Sequence, residues 1–388
     1  MPSLALKLLL LMASGASVAY YVDTVNGNDS NDGNSSDTAF ATLFKAYDTM
    51  RTNDGGNGTI YVSSTQTNPV NVETLSGQPG FLTFDTGRPT IRGLNGNQWY
   101  MGIKQELPAT GWATGAAPVY SRNLSGAPNR IFVIGLTDAN GEVLELTQNV
   151  ATPTTPAQGE YGTSGATIYV RLPADQNPND AQYTVTYSRR AIPIISSCEL
   201  FTIRDCNLHF AQGSCLQCDD GVIVARDCEF KYGAIGVGTN TNADRVDCYN
   251  CIANDHTNDG YNHNAGIMNL YNCTAKYNGD EGASPHQASV MNVIGGEYSN
   301  NGHLSDGGAM TAANSAELNV DGATLDANIG HGALYGASSS GEFVNNTVTN
   351  TTLGSGSGKG FECNTTGTVT LSANTFTDNA TTEDTSCN

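Results

Sequence analysis

The stretch NCTAKYNGDEGASPHQASVMNVIGGEYSNNGH, residues 272–303, decides the fold. It holds one full repeat, from Cys273 to Gly296, and the start of the next. Upstream, Cys206, Cys228, Cys251 and Cys273 are spaced 22, 23 and 22 residues apart. Downstream the same register runs through Ala323, Asn346 and Asn374. Two residues after this column stand Leu208, Phe230, Ala253, Ala275, Tyr298 and their successors. Three and five residues before it stand further apolar columns, such as Ile203 with Leu270, and Phe201 with Met268. Alternation within each arm is the period of a strand, and the odd step between the arms marks a corner. A unit this short, burying its apolar side only by stacking on its neighbours, predicts a solenoid of parallel strands.

Composition agrees. The chain has 388 residues, 38% hydrophobic and only 14% charged, with 44 glycines, which excludes disorder and coiled coils. The net charge of -20 repels nucleic acid and anionic membrane surfaces, so neither is an expected partner. Apart from residues 4–13, no apolar run approaches the roughly 18 residues of a membrane span. Residues 246–388 carry 15 Asp and Glu against Lys276 and Lys359 alone.

Four segments follow. Residues 1–19, MPSLALKLLLLMASGASVA, read either as a signal peptide or as a retained hydrophobic peg that docks on partner proteins; the peg is favoured because Lys7 interrupts the apolar run. Residues 20–94 are expected to form a cap and first coils, with a helix over 41–52 presenting Leu43, Ala46, Tyr47 and Met50 on one face to cover the open strand edge. Residues 95–190 break the rhythm with alternating strands and read as an inserted small β-sandwich. Residues 191–388 are the main solenoid.

YYVDTVNGNDSNDG (20–33) with AFATLFKA (39–46), GEYGTSGATIYVRLPADQNPND (159–180) and the repeats of 272–303 resemble the pectate-lyase-like right-handed parallel β-helix proteins, including bacteriophage tailspikes and fibres. The resemblance implies an all-β, right-handed parallel β-helix and leaves activity open, because the superfamily hosts lyases, hydrolases and plain adhesins. For a tailspike type it implies a homotrimeric virion protein that binds, and cleaves, a host surface polysaccharide. A secreted polysaccharide-degrading enzyme and a non-catalytic adhesive β-helix are the alternatives.

The cysteines fit the solenoid better than a metal centre. The pairs Cys215/Cys218 and Cys248/Cys251 have zinc-like spacing, but Cys248 and Cys251 already occupy apolar columns. Cys206, Cys228, Cys251 and Cys273 are expected to be buried, stacked and reduced, as in a protein assembled in a reducing compartment.

Chemistry is expected on the turn flank of residues 255–332. Carboxylates recur one coil apart before glycine, at Asp259, Glu281 and Asp306, and His263 and His286 are expected beside them. Close carboxylates cannot all ionise, so one becomes a proton donor, the requirement of glycoside hydrolysis. Asp280, Tyr261, Tyr277, His303 and His331 are the candidate substrate contacts. Asp-Gly steps also simply make turns, and that reading outweighs the sugar-handling one. Too few basic residues are present for a lyase acting on uronic acids. No cofactor is expected; among metals only calcium suits the oxygen ligands at these turns, and no EF-hand pattern is present.

Overall fold

The computed structural model describes residues 18–63, 82–102, 104–107, 111–114, 118–124, 130–139, 141, 143–188, 194–305, 307–354, 357–384 and 387. Parallel strands form three ladders from one repeating unit, the first, second and third sheets in the order of strands within a coil; the long strands Ser214–Arg226 and Ile235–Tyr249 join the first two into one. In the coil of residues 261–276 the strands are Tyr261–His263, Ile267–Tyr271 and Thr274–Lys276, and each pairs in parallel with its counterpart in the next coil. The register is 22 or 23 residues there: Met268 faces Met291 and Ala275 faces Tyr298. The apolar columns point inward; Phe201, Ile203, Cys206, Leu208, Leu270, Cys273 and Ala275 are fully buried.

The corner between the second and third strands is made by a left-handed residue. Asp205, Asp227, Asn250 and Asn272 have φ of 56°, 53°, 52° and 50°. Asp and Asn tolerate this region because their short side chains hydrogen-bond locally. That single residue explains the odd step in the sequence pattern.

The helix Leu43–Asp54 starts at Thr42, whose hydroxyl accepts from Lys45 N at 3.1 Å, and stops at Gly55, φ 60°. It buries Leu43, Ala46, Tyr47 and Met50 against the first strands, as the pattern predicts. The first strand begins at Ala19, which pairs with Thr59, so the coils take in one residue of the 1–19 segment. Residues 1–17, the bulk of the expected peg, lie outside the described residues.

The insert is a separate body with its own core, including Trp112, Ile131, Val133, Tyr161, Ile168 and Val170. Its strands pair antiparallel, except that Val143–Gln148 and Glu160–Ser164 run parallel. It begins later than residue 95: Trp99–Gly102 still pairs with Cys206–His209 in the third sheet, and Lys104–Leu107 is the first insert strand. The chain rejoins the coils at Ile194–Ser196, which lies between Leu82–Phe84 and residues 216–218.

Eight cysteines are buried and unbonded, with Cys206 Sγ 3.7 Å from Cys228 Sγ. Burial pushes the Cys228 and Cys273 thiols well up and those of Cys215 and Cys218 to about 12. Cys363 and Cys387 form a disulfide that ties the C-terminus to the last coils. Beside it Glu383 accepts from Phe361 N at 2.6 Å and Asp384 from Cys363 N at 2.9 Å, so two carboxylates cover the open edge of the final strand.

Candidate functional site

Tyr261 pairs with Ala283 and Asn262 with Ser284, so Asp259 and Glu281 start neighbouring strands one rung apart. The glycines that follow them are not turn glycines. Neither Gly260 nor Gly282 is left-handed; a Cβ on Gly260 would lie 2.7 Å from Gly282 O, and one on Gly282 would lie 2.8 Å from Ala309 O. The acidic-Gly signature therefore reflects close stacking of strand starts, which brings their carboxylates together.

Asp259 is buried. Its Oδ2 accepts from Asn262 Nδ2 at 2.5 Å and Ser284 Oγ at 2.6 Å, and its Oδ1 from Glu281 N at 3.2 Å. Carboxylate oxygens of Asp259, Asp280 and Glu281 lie within 4.8 Å of one another. Glu281 is held well above the ordinary carboxylate range, first by burial, then by the charge of Asp259, its hydrogen bond to Asp259 and the charge of Asp280; the Thr311 hydroxyl acts weakly the other way. Asp280 Oδ1 accepts from Ser305 Oγ at 2.5 Å. Glu281, whose proton is held more tightly than usual, thus sits against the hydrogen-bonded carboxyl group of Asp259 at the start of parallel strands. The same three oxygens have the chemistry to ligate a hard cation.

The other candidates are distributed differently. Asp306 lies outside the described residues. His331 pairs with Lys359 on the same column; its Nε2 is 3.3 Å from Thr311 Oγ1, which places Thr311 between His331 and Glu281. His263 is fully buried at the far end of its strand. Nδ1 meets Thr239 Oγ1 at 3.1 Å, Nε2 meets Gly266 O at 3.1 Å, and burial lowers its pKa to about 4. His286 stands five residues after Glu281, beyond a strand that advances about 3.3 Å per residue. Neither histidine is beside the carboxylates, contrary to expectation, because the turn flank has two ends and these residues occupy the other one. Tyr261 points into the core and donates to Cys251 O at 3.0 Å, so its ring offers no face to a sugar.

Tyr277 and His303 line a cleft of about 680 Å³ between the insert and the coils, with Tyr161, Tyr232, Arg130 and Glu145. Arg130 clamps the insert in place: Nε and Nη2 donate to the two Glu145 oxygens at 2.7 and 2.5 Å, and Nη1 donates to Gly233 O at 2.6 Å. The cleft adjoins the acidic cluster, since Thr257 and Leu304 line it while Asp259 and Ser305 belong to the cluster.

Sequence reasoning missed Asn262, Ser284, Thr311, Gly307 and Arg130. The first three could have been found by carrying the outward column along the register. Gly307 matters because a Cβ there would lie 2.1 Å from Asp280 Oδ1 and 2.8 Å from Glu281 Cδ. Arg130 carries no local signal.

No family model and no curated relative matches the sequence. Two solved structures resemble the fold. One, described as a glycoside hydrolase, aligns with a TM-score of 0.57 at 9% identity over 95% of this chain and 97% of its own. The other, XylC in complex with xylose, aligns with a TM-score of 0.51 at 11% identity over 92% of this chain and 68% of its own. At these identities the likeness is one of fold.

Proposed function

We propose that the chain is a right-handed parallel β-helix protein that binds a glycan and hydrolyses it, with Glu281 as general acid and Asp259 as its carboxylate partner. The observation that carries this is the pair itself: on neighbouring rungs the oxygens of Glu281, raised above the ordinary carboxylate range, and of hydrogen-bonded Asp259 lie within 4.8 Å. The likeness to carbohydrate-active structures supports it. So close a pair suits retention of configuration, since inverting pairs stand about 6.5–9.5 Å apart. Glu281 gives its proton to the glycosidic oxygen as that bond breaks, and Asp259 bonds to the anomeric carbon. Water then attacks that carbon and loses a proton to Glu281, and Asp259 leaves as a carboxylate. Tyr277 and His303 would contact the sugars in the cleft, and His331 would steady Thr311 beside Glu281.

The test is release of reducing ends from a panel of polysaccharides and aryl glycosides. Glu281→Gln and Asp259→Asn should each lower the rate about 100-fold or more, and azide should rescue Asp259→Ala. Asp280→Asn distinguishes the third carboxylate from the pair. If no glycan yields reducing ends, or both variants keep full rate, the hydrolase reading fails.

A tailspike-type virion protein, homotrimeric and docked through residues 1–19, is the biological setting that the eight unbonded core cysteines support, while the Cys363–Cys387 disulfide supports the secreted alternative. N-terminal sequencing of the native protein tests it: a chain beginning near Tyr20 would instead indicate a secreted enzyme.

A further inference from the structure

The outer face of the second sheet carries a ladder that the acidic cluster does not use. Following the strand register from coil to coil, one outward position is occupied by Tyr21 and Tyr61, then Arg92, Arg204 and Arg226, then Tyr249 and Tyr271. Rungs of a sheet lie about 4.8 Å apart, so three guanidinium groups follow one another at that spacing. Arg92 and Arg204 are 112 positions apart in sequence and become neighbours only because the insert leaves and re-enters between them.

The ladder is ordered by stacking. Tyr21 and Tyr61 lie 5.4 Å apart at 22°, and Tyr249 and Tyr271 lie 4.7 Å apart at 9°. Arg226 sits 3.7 Å from the centre of the Tyr249 ring, and Arg92 sits 6.0 Å from that of Tyr61. All seven side chains are half-buried, with their outer edges open to solvent.

Stability does not account for this arrangement. Among the described residues none of the three arginines forms an ion pair, in a chain with 37 acidic side chains to choose from. The carboxylates nearest in sequence are otherwise engaged or turned at the corner: Asp227 accepts from Asn250 at 3.0 Å, Asp247 from Asn269 at 2.7 Å and Arg245 at 3.1 Å, and Asp205 is a left-handed corner residue. The Nε atoms of Arg92 and Arg204 are buried without a hydrogen-bond partner. Like charges on successive rungs repel, and unmet donors are costly. A local rule broken three times in a row is the mark of a binding surface.

We propose that this ladder is a second glycan-binding site, separate from the acidic cluster, and that it takes a polysaccharide bearing a carboxylate on successive sugars, lying along the solenoid axis. Each guanidinium offers the paired N–H fork that matches a carboxylate. The arginines repeat at about 4.8 Å along the axis, so carboxylates on the side of an extended glycan turned toward the sheet meet guanidinium groups along the run. The tyrosine pairs at both ends offer flat apolar faces to pyranose rings. The choice of a sugar polymer over other polyanions rests on the glycan reading of the chain.

The experiment uses the full chain with Asp259→Asn, so that binding is read without cleavage and fails independently of it. Alginate is the uronate probe, unsubstituted xylan the neutral one and single-stranded DNA the competing polyanion, all in affinity electrophoresis at low and moderate salt. Alginate should retard the protein, and Arg92→Gln/Arg204→Gln/Arg226→Gln should weaken that at least tenfold, with xylan binding unchanged. Arg204→Gln alone should weaken it severalfold at an unfolding midpoint no lower than the parent's, which separates lost binding from lost fold. Equal retardation of the triple variant, no retardation by alginate, or stronger retardation by DNA would each overturn the assignment.

Discussion

Gly307→Ala is the sharpest test of the carboxyl cluster, because it alters the site without touching a titratable group. Gly307 is not left-handed, so alanine meets no backbone penalty there. The obstacle is the cluster: the new Cβ would lie 2.1 Å from Asp280 Oδ1, 2.8 Å from Glu281 Cδ and 2.9 Å from the Asp280 carbonyl carbon. Ordinary contact needs about 3.5–4.0 Å, so both carboxyl groups must swing away by an ångström or more. Overpacking of this kind costs about 1–3 kcal/mol, and Asp280 loses its bond from Ser305. Displacing Glu281 from Asp259 removes part of what raises it, so its titration midpoint should fall. Denaturant unfolding, carbon-13 titration of the Glu281 carboxyl and the rate of reducing-end release read the three consequences. Asp280→Ala removes the nearest obstacle and should recover much of the stability, with a coupling of about 1 kcal/mol in the double-mutant cycle. If Gly307→Ala matches the parent in stability, titration and rate, the carboxyl groups are not packed as described and the acid–carboxylate pair loses its basis.

Three further outcomes follow from the same geometry. Glu281 is raised in the folded state, so its contribution to stability is present below the unfolded value and is lost as pH rises through the folded one; Glu281→Gln should therefore become increasingly stable relative to the parent as pH rises above about 4.5, seen in thermal midpoints across pH. His263 is lowered from 6.5 to about 4, so its contribution is present above pH 6.5 and lost as pH falls through about 4; His263→Gln should flatten that part of the stability profile while changing the hydrolytic rate little. Cys363→Ser opens a link across 24 residues and should cost about 3 kcal/mol in denaturant unfolding, with the chain-entropy estimate refuted if the midpoint is unmoved.

The coils were legible because every coil must bury the same positions, so the columns of Phe201, Ile203, Cys206 and Leu208 recur in plain view. The all-β class, the helix under Leu43 and Tyr47, and the insert follow from period and turn residues. The insert boundary was not legible: Trp99–Gly102 is a coil strand whose partner, Cys206–His209, comes after the whole insert. Site residues were legible in part. Asp259 and Glu281 share a column, so spacing alone pairs them. His263 and His286 stand 23 residues apart and looked equivalent to that pair, but the register sets His263 against Pro285, and spacing gives neither the end of the strand nor the direction of the side chain. The contact of His263 with Thr239 in the interior is a matter of local strand geometry that no period reveals.

The same logic explains why a solenoid with one acidic cluster can hold a second, oppositely charged surface. Each outward column is free of the packing that fixes the inward ones, so its composition records what the face meets. On the first sheet the outward neighbours Asn262, Ser284 and Thr311 are small and polar, and each donates or accepts at the carboxyl cluster or its histidine. On the second sheet the corner-side column is aromatic and cationic over seven successive rungs. Beyond Tyr271 it changes to Ile294, Asp321 and Val344. Folding demands neither the run nor its end, since strand pairing continues unchanged through both. A glycan held on the ladder would run parallel to the axis, the direction in which Asp259 and Glu281 are also arrayed, so that one extended polymer or two neighbouring chains of a surface layer could occupy both faces without bending the protein.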